Sequence, residues 1–175
     1  FIYAGARKQK DMDELNKIAN IQAVRLDVTV QEDIDAAVKT IQEAGRGLYG
    51  LVNNAGVATR MPLIEQDIDA MRWLFEINVF GVVRVTQAFA PMIIASKGRI
   101  VTTSSISGVG TWLGGGDYTM SKHAIEAFSD TLALEMARFE VKVSVIQPGN
   151  YNSDIGKTIA NRRGEMTAEQ KQSPC

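Results

Sequence analysis

The stretch Leu48-Tyr49-Gly50-Leu51-Val52-Asn53-Asn54-Ala55-Gly56 indicates the fold more clearly than any other part of the chain. Its first five residues form a short apolar run, which predicts a buried strand. Loops are commonly rich in Gly, Asn and Ser, but two adjacent side-chain amides directly after a buried strand need hydrogen-bond partners of their own. The stretch therefore predicts a strand that ends in polar groups with a defined role.

Strand-like and helix-like segments alternate on both sides of this stretch. This alternation predicts βαβ units with right-handed crossovers, and therefore an α/β fold with a doubly wound parallel sheet. Further strands are predicted over residues 1–4, 21–26, 99–103 and 141–146, and helices over 11–19, 29–45, 67–94 and 118–138. Thr29 and Glu32 predict a capping box at the start of the second helix. The polar tail from Asn152 is expected to be partly helical.

The composition is that of an ordinary globular domain. The chain has 175 residues, of which 45% are hydrophobic and 22% are charged, and its net charge is -1. With no basic excess to meet phosphates, we expect neither nucleic acid nor an anionic membrane surface as a partner. The apolar run 77–83 is broken by Asn78 and Gly81, so no membrane span is predicted.

The cysteine and histidine counts restrict the chemistry further. Cys175 and His123 are each the single residue of their type, which excludes an internal disulfide and argues against a structural metal site. No signal-peptide pattern is present in the sequence. We therefore expect a cytoplasmic protein without a bound metal.

Polar residues are predicted to collect at one edge of the sheet, because parallel strands bring their carboxyl ends together there. Tyr118 and Lys122 lie four residues apart on the helix after the fourth strand, and so share one helix face. A nearby cation lowers the pKa of a tyrosine from its usual ~10 towards values useful for acid/base chemistry. By itself this pair could equally be a surface contact. The groups expected at the edge are Gly5-Ala6-Arg7, Asp27-Val28, Asn53 to Gly56, Ser104-Ser105 and Pro148-Gly149.

Five motifs in this order resemble the short-chain dehydrogenase/reductase family, a Rossmann-type family, over essentially the whole chain. They are NNAG at 53–56, Asn78 in a long helix, Ser105 thirteen residues before the tyrosine, YxxxK at Tyr118 and Lys122, and PG at 148–149. The run 79–87 also resembles the hydroxysteroid-dehydrogenase-like branch.

The resemblance implies a role for each catalytic residue. Tyr118 would be the general acid in carbonyl reduction and the base in alcohol oxidation. Lys122 would lower the pKa of Tyr118 and hold the nicotinamide ribose, while Ser105 would hydrogen-bond the substrate oxygen. Asn78 would anchor a water that links Lys122 to solvent. Ser104 is the alternative to Ser105, but the spacing to the tyrosine selects Ser105.

The resemblance also implies a dinucleotide site and a preference for NADP(H) over NAD(H). An acidic residue at the end of the first visible strand would bind the ribose hydroxyls of NAD, whereas this chain has Ala6 followed by Arg7 and Lys8, which can meet a 2′-phosphate. The alternative is that both cations are ordinary surface charges. The implied cofactor set is Arg7, Asp27, Val28, Asn53, Ala55, Gly56, Tyr118, Lys122, Pro148 and Gly149.

The segments around the predicted pocket indicate its character. Trp112 and Leu113 make it apolar, which favours a lipophilic or bulky alcohol or carbonyl substrate. The glycines at 108–116 predict a turn on the substrate side instead of a phosphate loop, because they do not follow the first strand of a βαβ unit. His123 is expected to be structural or at the surface. In segment 150–153, Ser153 is the nearest hydroxyl to the Thr that often follows PG in the family.

The family's first strand, with its Gly-rich loop, is expected ahead of Phe1, and its last strand beyond Cys175. Residues 1–175 are thus predicted to be a single dinucleotide-binding and catalytic domain, incomplete at both ends. The alternative is a non-catalytic dinucleotide-binding or interaction module with the same fold. The apolar helices 67–94 and 118–138 predict a homodimer or homotetramer that pairs them in a four-helix bundle.

Overall fold

The computed structural model describes residues 1–151, and it confirms an α/β architecture of alternating strands and helices. The predicted helix after Asn152 and the position of Ser153 lie outside the described residues. The strands are β1 (Ile2–Ala6), β2 (Ile21–Arg25), β3 (Gly50–Asn53), β4 (Arg99–Thr103) and β5 (Lys142–Ile146). The helices are α1 (Gln9–Leu15), α2 (Gln31–Glu43), α3 (Ile68–Phe75), α4 (Val82–Ala95) and α5 (Gly116–Met136).

The described strands form two parallel sheets, one with the order β1-β2 and the other with the order β3-β4-β5. Ile2 pairs with Ile21 in the first sheet, and Arg99 pairs with both Gly50 and Lys142 in the second. β1 is not hydrogen-bonded to β3, so the described strands form two separate parts of the doubly wound arrangement.

Two apolar clusters attach the helices to the strands. The first joins α2 and α4 to β2 through Ile34, Ile41, Val85 and Phe89, which pack around Val24. The second joins the end of α4 to β4 and α5, and its buried members are Ile93, Ile100, Met136 and Val141. Each fully buried side chain of this size contributes about 1.5–3 kcal/mol, so these clusters hold the strand ends in place.

The predicted capping box at the start of α2 is wrong. The helix begins at Gln31, and its preceding residue Val30 makes no side-chain cap. Thr29 instead donates its hydroxyl to Asp27 Oδ1 at 2.7 Å, in a turn closed by the same carboxylate. Aspartate side chains accept local hydrogen bonds in this way and compete with helix caps.

The long helical region is continuous from Ile68 to Ala95, because α3 and α4 are joined by a π-helical segment, Glu76–Gly81. By length and composition alone, a helix like this could cross a membrane. Asn78 and Gly81 therefore do not justify the prediction that this region cannot span a membrane. The core helix of a globular protein passes the same test, and this helix buries Leu74 and Phe89 in the fold.

Candidate active site

A cavity of about 960 Å³ opens where β3, β4 and β5 end. Four segments line it: the loop after β3, the turn after β4, the start of α5, and the residues after β5. Six of the predicted site residues contribute to the lining, namely Gly56, Ser105, Tyr118, Lys122, Pro148 and Gly149. The polar ends of these three strands therefore meet at one edge, as the alternating pattern predicted.

Ser105 and Tyr118 form the polar centre of this cavity. Ser105 still has an extended backbone and caps the short 3-10 turn Ile106–Gly108 that follows β4, where its Oγ accepts a hydrogen bond from Ser107 N at 3.1 Å. Burial raises the pKa of the half-buried Tyr118 phenol, and a hydrogen bond with Ser105 offsets part of this rise. The predicted lowering of the Tyr118 pKa is therefore wrong for the protein alone, because removal of the phenolate from water outweighs the stabilising contacts.

Lys122 lies one turn beyond Tyr118 with its ammonium group buried. Its Nζ donates to the carbonyl oxygen of Thr103 at 2.9 Å and lies 5.6 Å from the centre of the Tyr118 ring. Burial lowers the pKa of Lys122 to about 8, against the opposing charge of Glu126 one turn further along α5. The ammonium group is thus placed beside the phenol but is bonded to the main chain of β4.

Asn78 lies inside the π-helical segment, where short insertions often mark functional positions. Its side chain is 1% exposed and clamps the main chain of Val57, accepting from N at 2.8 Å and donating to O at 2.9 Å. The same amide donates to Ser121 Oγ at 3.1 Å, and Ser121 Oγ donates to the Tyr118 carbonyl. Asn78 therefore connects the loop after β3 to the turn of α5 that carries Tyr118.

Gly56 is the point where Asn78 and Lys122 come together. A Cβ atom on Gly56 would lie 3.5 Å from Asn78 Oδ1 and 3.7 Å from Lys122 Nζ. The side chains of Asn78 and Lys122 thus both face Gly56, and the predicted bridging water stays a prediction. Sequence reasoning missed the contacts with Val57 and Ser121, because neither carries a motif of its own.

The four residues of the NNAG motif divide into two groups. Asn53 is buried and donates from Nδ2 to Thr86 Oγ1 at 2.9 Å, which braces β3 against α4. Asn54 lines the cavity and accepts from Thr103 Oγ1 at 3.0 Å. Asn53 and Ala55 do not contribute to the cavity wall, whereas Asn54 and Gly56 do.

Asp117 is a further site residue that sequence reasoning missed. Its carboxylate is fully buried at the start of α5, where it accepts from Tyr118 N at 2.7 Å and from the Thr59 hydroxyl. A carboxylate in the first turn also interacts favourably with the helix dipole. Asp117 therefore anchors the loop after β3 directly beside Tyr118. An acidic residue immediately before Tyr118 was the only signal in the sequence.

The predicted cofactor residues Arg7, Asp27 and Val28 lie on the other sheet, away from the cavity wall. Arg7 is exposed, with its Nη1 at 4.0 Å from Asp27 Oδ2. Burial acts to raise the pKa of Asp27, but hydrogen bonds from Thr29 and the charges of Arg7 and Arg25 outweigh it and leave that pKa lowered. Val28 packs against Gly81, where a Cβ atom would lie only 2.6 Å from Val28 Cγ2.

His123 and the glycine-rich segment make contacts that concern the local fold. His123 Nδ1 donates to the carbonyl oxygen of Thr119 at 2.9 Å, within α5. In the glycine-rich segment, Gly114 has a φ of +72°, the left-handed conformation that glycine adopts readily. Within residues 1–151, no group of three or more His, Cys, Asp or Glu side chains could hold a metal ion.

Comparison with known proteins identifies the family. A family model described as short chain dehydrogenase matches residues 2–164. Mitochondrial D-beta-hydroxybutyrate dehydrogenase from Bos taurus is 38% identical over 84% of this chain and 44% of that protein. Human 17-beta-hydroxysteroid dehydrogenase type 6 is 42% identical over 77% of this chain and 43% of that protein. The chain belongs to the short-chain dehydrogenase/reductase family.

Solved structures agree with this assignment. A short chain dehydrogenase from Burkholderia cenocepacia in complex with NADP has a TM-score of 0.80 at 26% identity, over 89% of this chain and 63% of that one. A short chain dehydrogenase/reductase from Burkholderia phymatum in complex with NAD has a TM-score of 0.83 at 25% identity, over 98% of this chain and 63% of that one. The chain spans about half the length of the curated relatives it matches.

Proposed function

We propose that the full-length protein is an oxidoreductase that interconverts an alcohol and the corresponding ketone or aldehyde with a nicotinamide dinucleotide. The observation that carries this proposal is the placement of Ser105, Tyr118 and Lys122 around one cavity at the strand ends. Two relatives whose names describe dehydrogenases of hydroxylated compounds support it. A non-catalytic module would have no need of this constellation.

Tyr118 would carry the proton. Because burial raises its pKa, the phenol is neutral at neutral pH and can donate to the oxygen of a carbonyl substrate. Ser105 would donate to the same oxygen and stabilise the negative charge that develops on it. A bound nicotinamide dinucleotide would supply the hydride for reduction or accept it in oxidation.

Lys122 would stabilise the charged form of Tyr118 that remains after proton donation. Its ammonium group lies beside the ring, in a buried setting where charge interactions are stronger than in water. In the oxidation direction the same charge would help Tyr118 to accept the proton from the alcohol. Asn78 would act indirectly, by holding the loop after β3 and the turn that carries Tyr118.

The residues around the cavity fit the nicotinamide half of a dinucleotide. Gly56 leaves the wall open beside Lys122, and a Cβ atom on Gly149 would meet nothing within 4 Å. Lys122 and the Pro148-Gly149 turn would therefore hold the nicotinamide ribose and ring. At the other sheet, Arg7 and Asp27 would meet the adenosine half, and we propose that Arg7 makes the protein prefer NADP(H).

The proposed reaction is tested by Tyr118→Phe in the full-length protein, with a panel of ketones and alcohols and both cofactors. Loss of a general acid/base is expected to lower kcat by about 10²–10⁴-fold. Tyr49→Phe, which removes an exposed phenol hydroxyl, is the matched control and should leave turnover unchanged. Unchanged turnover in Tyr118→Phe would show that the chemistry does not depend on this residue.

The assembly and location of the protein also follow as proposals. Phe80 on the long helix and Leu134 on α5 are large apolar side chains that are 52% and 80% exposed, which supports a homodimer or homotetramer through these helices. Light scattering that gives a monomer mass at micromolar concentration would contradict this. We propose a cytoplasmic location. Because a relative is mitochondrial, cell fractionation is the test, and recovery in mitochondria would disprove it.

A further inference from the structure

The charged residues on the cavity wall all have the same sign. Arg60 and Lys122 line the cavity, and no Asp or Glu is among the described residues that do so. A concave site with charges of one sign concentrates the electric field and attracts the opposite charge. The cavity is therefore suited to a ligand that carries a negative group.

Arg60 is held firmly beside the catalytic turn. The preceding residue, Thr59, is bonded through its hydroxyl to the buried Asp117, which directly precedes Tyr118. The following residue, Met61, donates its backbone N–H to Gly114 O at 2.9 Å. The backbone of Arg60 is thus fixed on both sides to the segment that leads into the tyrosine.

The side chain of Arg60 extends over the glycine turn at the cavity wall. A Cβ atom on Gly114 would lie 3.5 Å from Arg60 Cγ and 3.7 Å from its Nε, so the stem packs on a position that lacks a side chain. The residue is exposed, and within residues 1–151 it forms no ion pair, in contrast to Arg25, Arg72 and Arg84. Its guanidinium is therefore available to a ligand.

Lys122, the other cation of the cavity wall, is less available to a ligand than Arg60. Its ammonium group is buried, donates to Thr103 O and adjoins the Tyr118 ring, so it belongs to the proton-transfer machinery. A guanidinium can also bind a carboxylate through two parallel hydrogen bonds, which an ammonium cannot do. Arg60 is the better placed of the two cations for a negative group at the substrate end.

We infer that Arg60 recognises a carboxylate on the substrate. The substrate class is then a hydroxy acid or keto acid, with its reacting oxygen at Ser105 and Tyr118 and its carboxylate at Arg60. Trp112 and Leu113, which line the same cavity, would contact the carbon chain between or beside these groups. This inference rests on the proposed function. It restricts the lipophilic or bulky substrate predicted from the sequence to one that also carries a carboxylate.

The test compares keto acids with their methyl esters as substrates of the full-length protein. The first two pairs are levulinate with methyl levulinate and phenylglyoxylate with methyl phenylglyoxylate. The wild type should prefer each acid to its ester. Arg60→Gln should lower kcat/KM for the acids by about 10–100-fold, as expected for loss of a charged hydrogen bond, and leave the esters unchanged. Arg60→Lys should fall between the two. Arg72→Gln, which removes an exposed guanidinium on α3, is the control.

Several results would overturn the inference. They are a wild type that prefers the esters, equal losses for acid and ester in Arg60→Gln, and acids that are neither turned over nor compete with the esters. An increase only in the KM of the dinucleotide would instead assign Arg60 to cofactor binding. Ester turnover that depends on Tyr118 but not on Arg60 would leave the proposed reaction intact and refute only the carboxylate site.

Discussion

The cofactor preference can be tested at Arg7, at the carboxyl end of β1. Its side chain is 64% exposed, and its nearest acidic partner is Asp27, with 4.0 Å between the charged atoms. Such a loose ion pair leaves the guanidinium free to bind a 2′-phosphate. Arg7→Ala removes this donor without disturbing a buried contact.

The size of the effect follows from the kind of contact. A hydrogen bond to a charged group contributes about 1.5–3 kcal/mol, which corresponds to about 10–100-fold in kcat/KM for NADPH. Exposure to solvent and salt weakens the interaction, so we expect a value near the lower end of this range. Asp27 would also lose one of its two neighbouring cations, Arg25 being the other, so its carboxylate would repel the phosphate more strongly. The kcat/KM for NADH should change little.

The assay is the measurement of kcat/KM for NADPH and NADH in the full-length protein. Arg7→Lys keeps the charge but not the paired donors, and should retain part of the preference. Arg72→Ala, which removes an exposed guanidinium on α3, should affect neither cofactor. Because Lys8 can partly replace Arg7, the double change Ala6→Asp with Arg7→Ala is the stronger perturbation. A parent protein that prefers NADH, or equal losses for both cofactors in Arg7→Ala, would refute the reasoning.

Two further predictions concern the pH dependence and the packing of the site. Glu126→Gln removes a charge that raises the pKa of Lys122, so this pKa should fall further below about 8. The alkaline limb of the pH profile of kcat/KM should therefore move to lower pH. An unchanged profile would show that Lys122 does not control this limb. Gly81→Ala places a Cβ atom 2.6 Å from Val28 Cγ2 and should destabilise the fold by about 1–3 kcal/mol, measured by urea unfolding. Val28→Ala should rescue that variant only in part, because the Cβ atom of residue 28 would still lie 2.9 Å from the added one. Gly50→Ala, where a Cβ would meet nothing within 4 Å, serves as the control, and equal losses at both glycines would contradict the packing argument.

Much of the fold and the composition of the site could be predicted from local patterns. Short apolar runs alternating with amphipathic segments indicated five strands, and parallel pairing then required the carboxyl ends of β3, β4 and β5 to share an edge. The four-residue spacing of Tyr118 and Lys122 placed both on one face of α5, because neighbours on a helix surface are separated by about one turn. These inferences succeeded because the physical cause of each lies within a few residues along the chain.

The arrangement of groups from distant segments was decided only by the tertiary structure. The Asn78 amide reaches Val57 and Ser121 because a π-helical segment interrupts a helix that otherwise has a regular apolar pattern. Asp117 accepts a hydrogen bond from Thr59, which is far away in the chain. Asp27 accepts the hydroxyl of Thr29, which was expected to cap α2, because hydrogen-bond acceptors compete for the same donor.

The pKa values of the site residues are likewise decided by the tertiary structure. The spacing of Tyr118 and Lys122 predicted a lowered tyrosine pKa, but burial raises it and lowers the pKa of Lys122 to about 8. Burial depends on how α5 packs against β4 and β5, and this packing combines residues that are far apart in the chain. The sequence pattern thus identifies the groups that take part in the site, whereas their desolvation and their partners are properties of the folded chain.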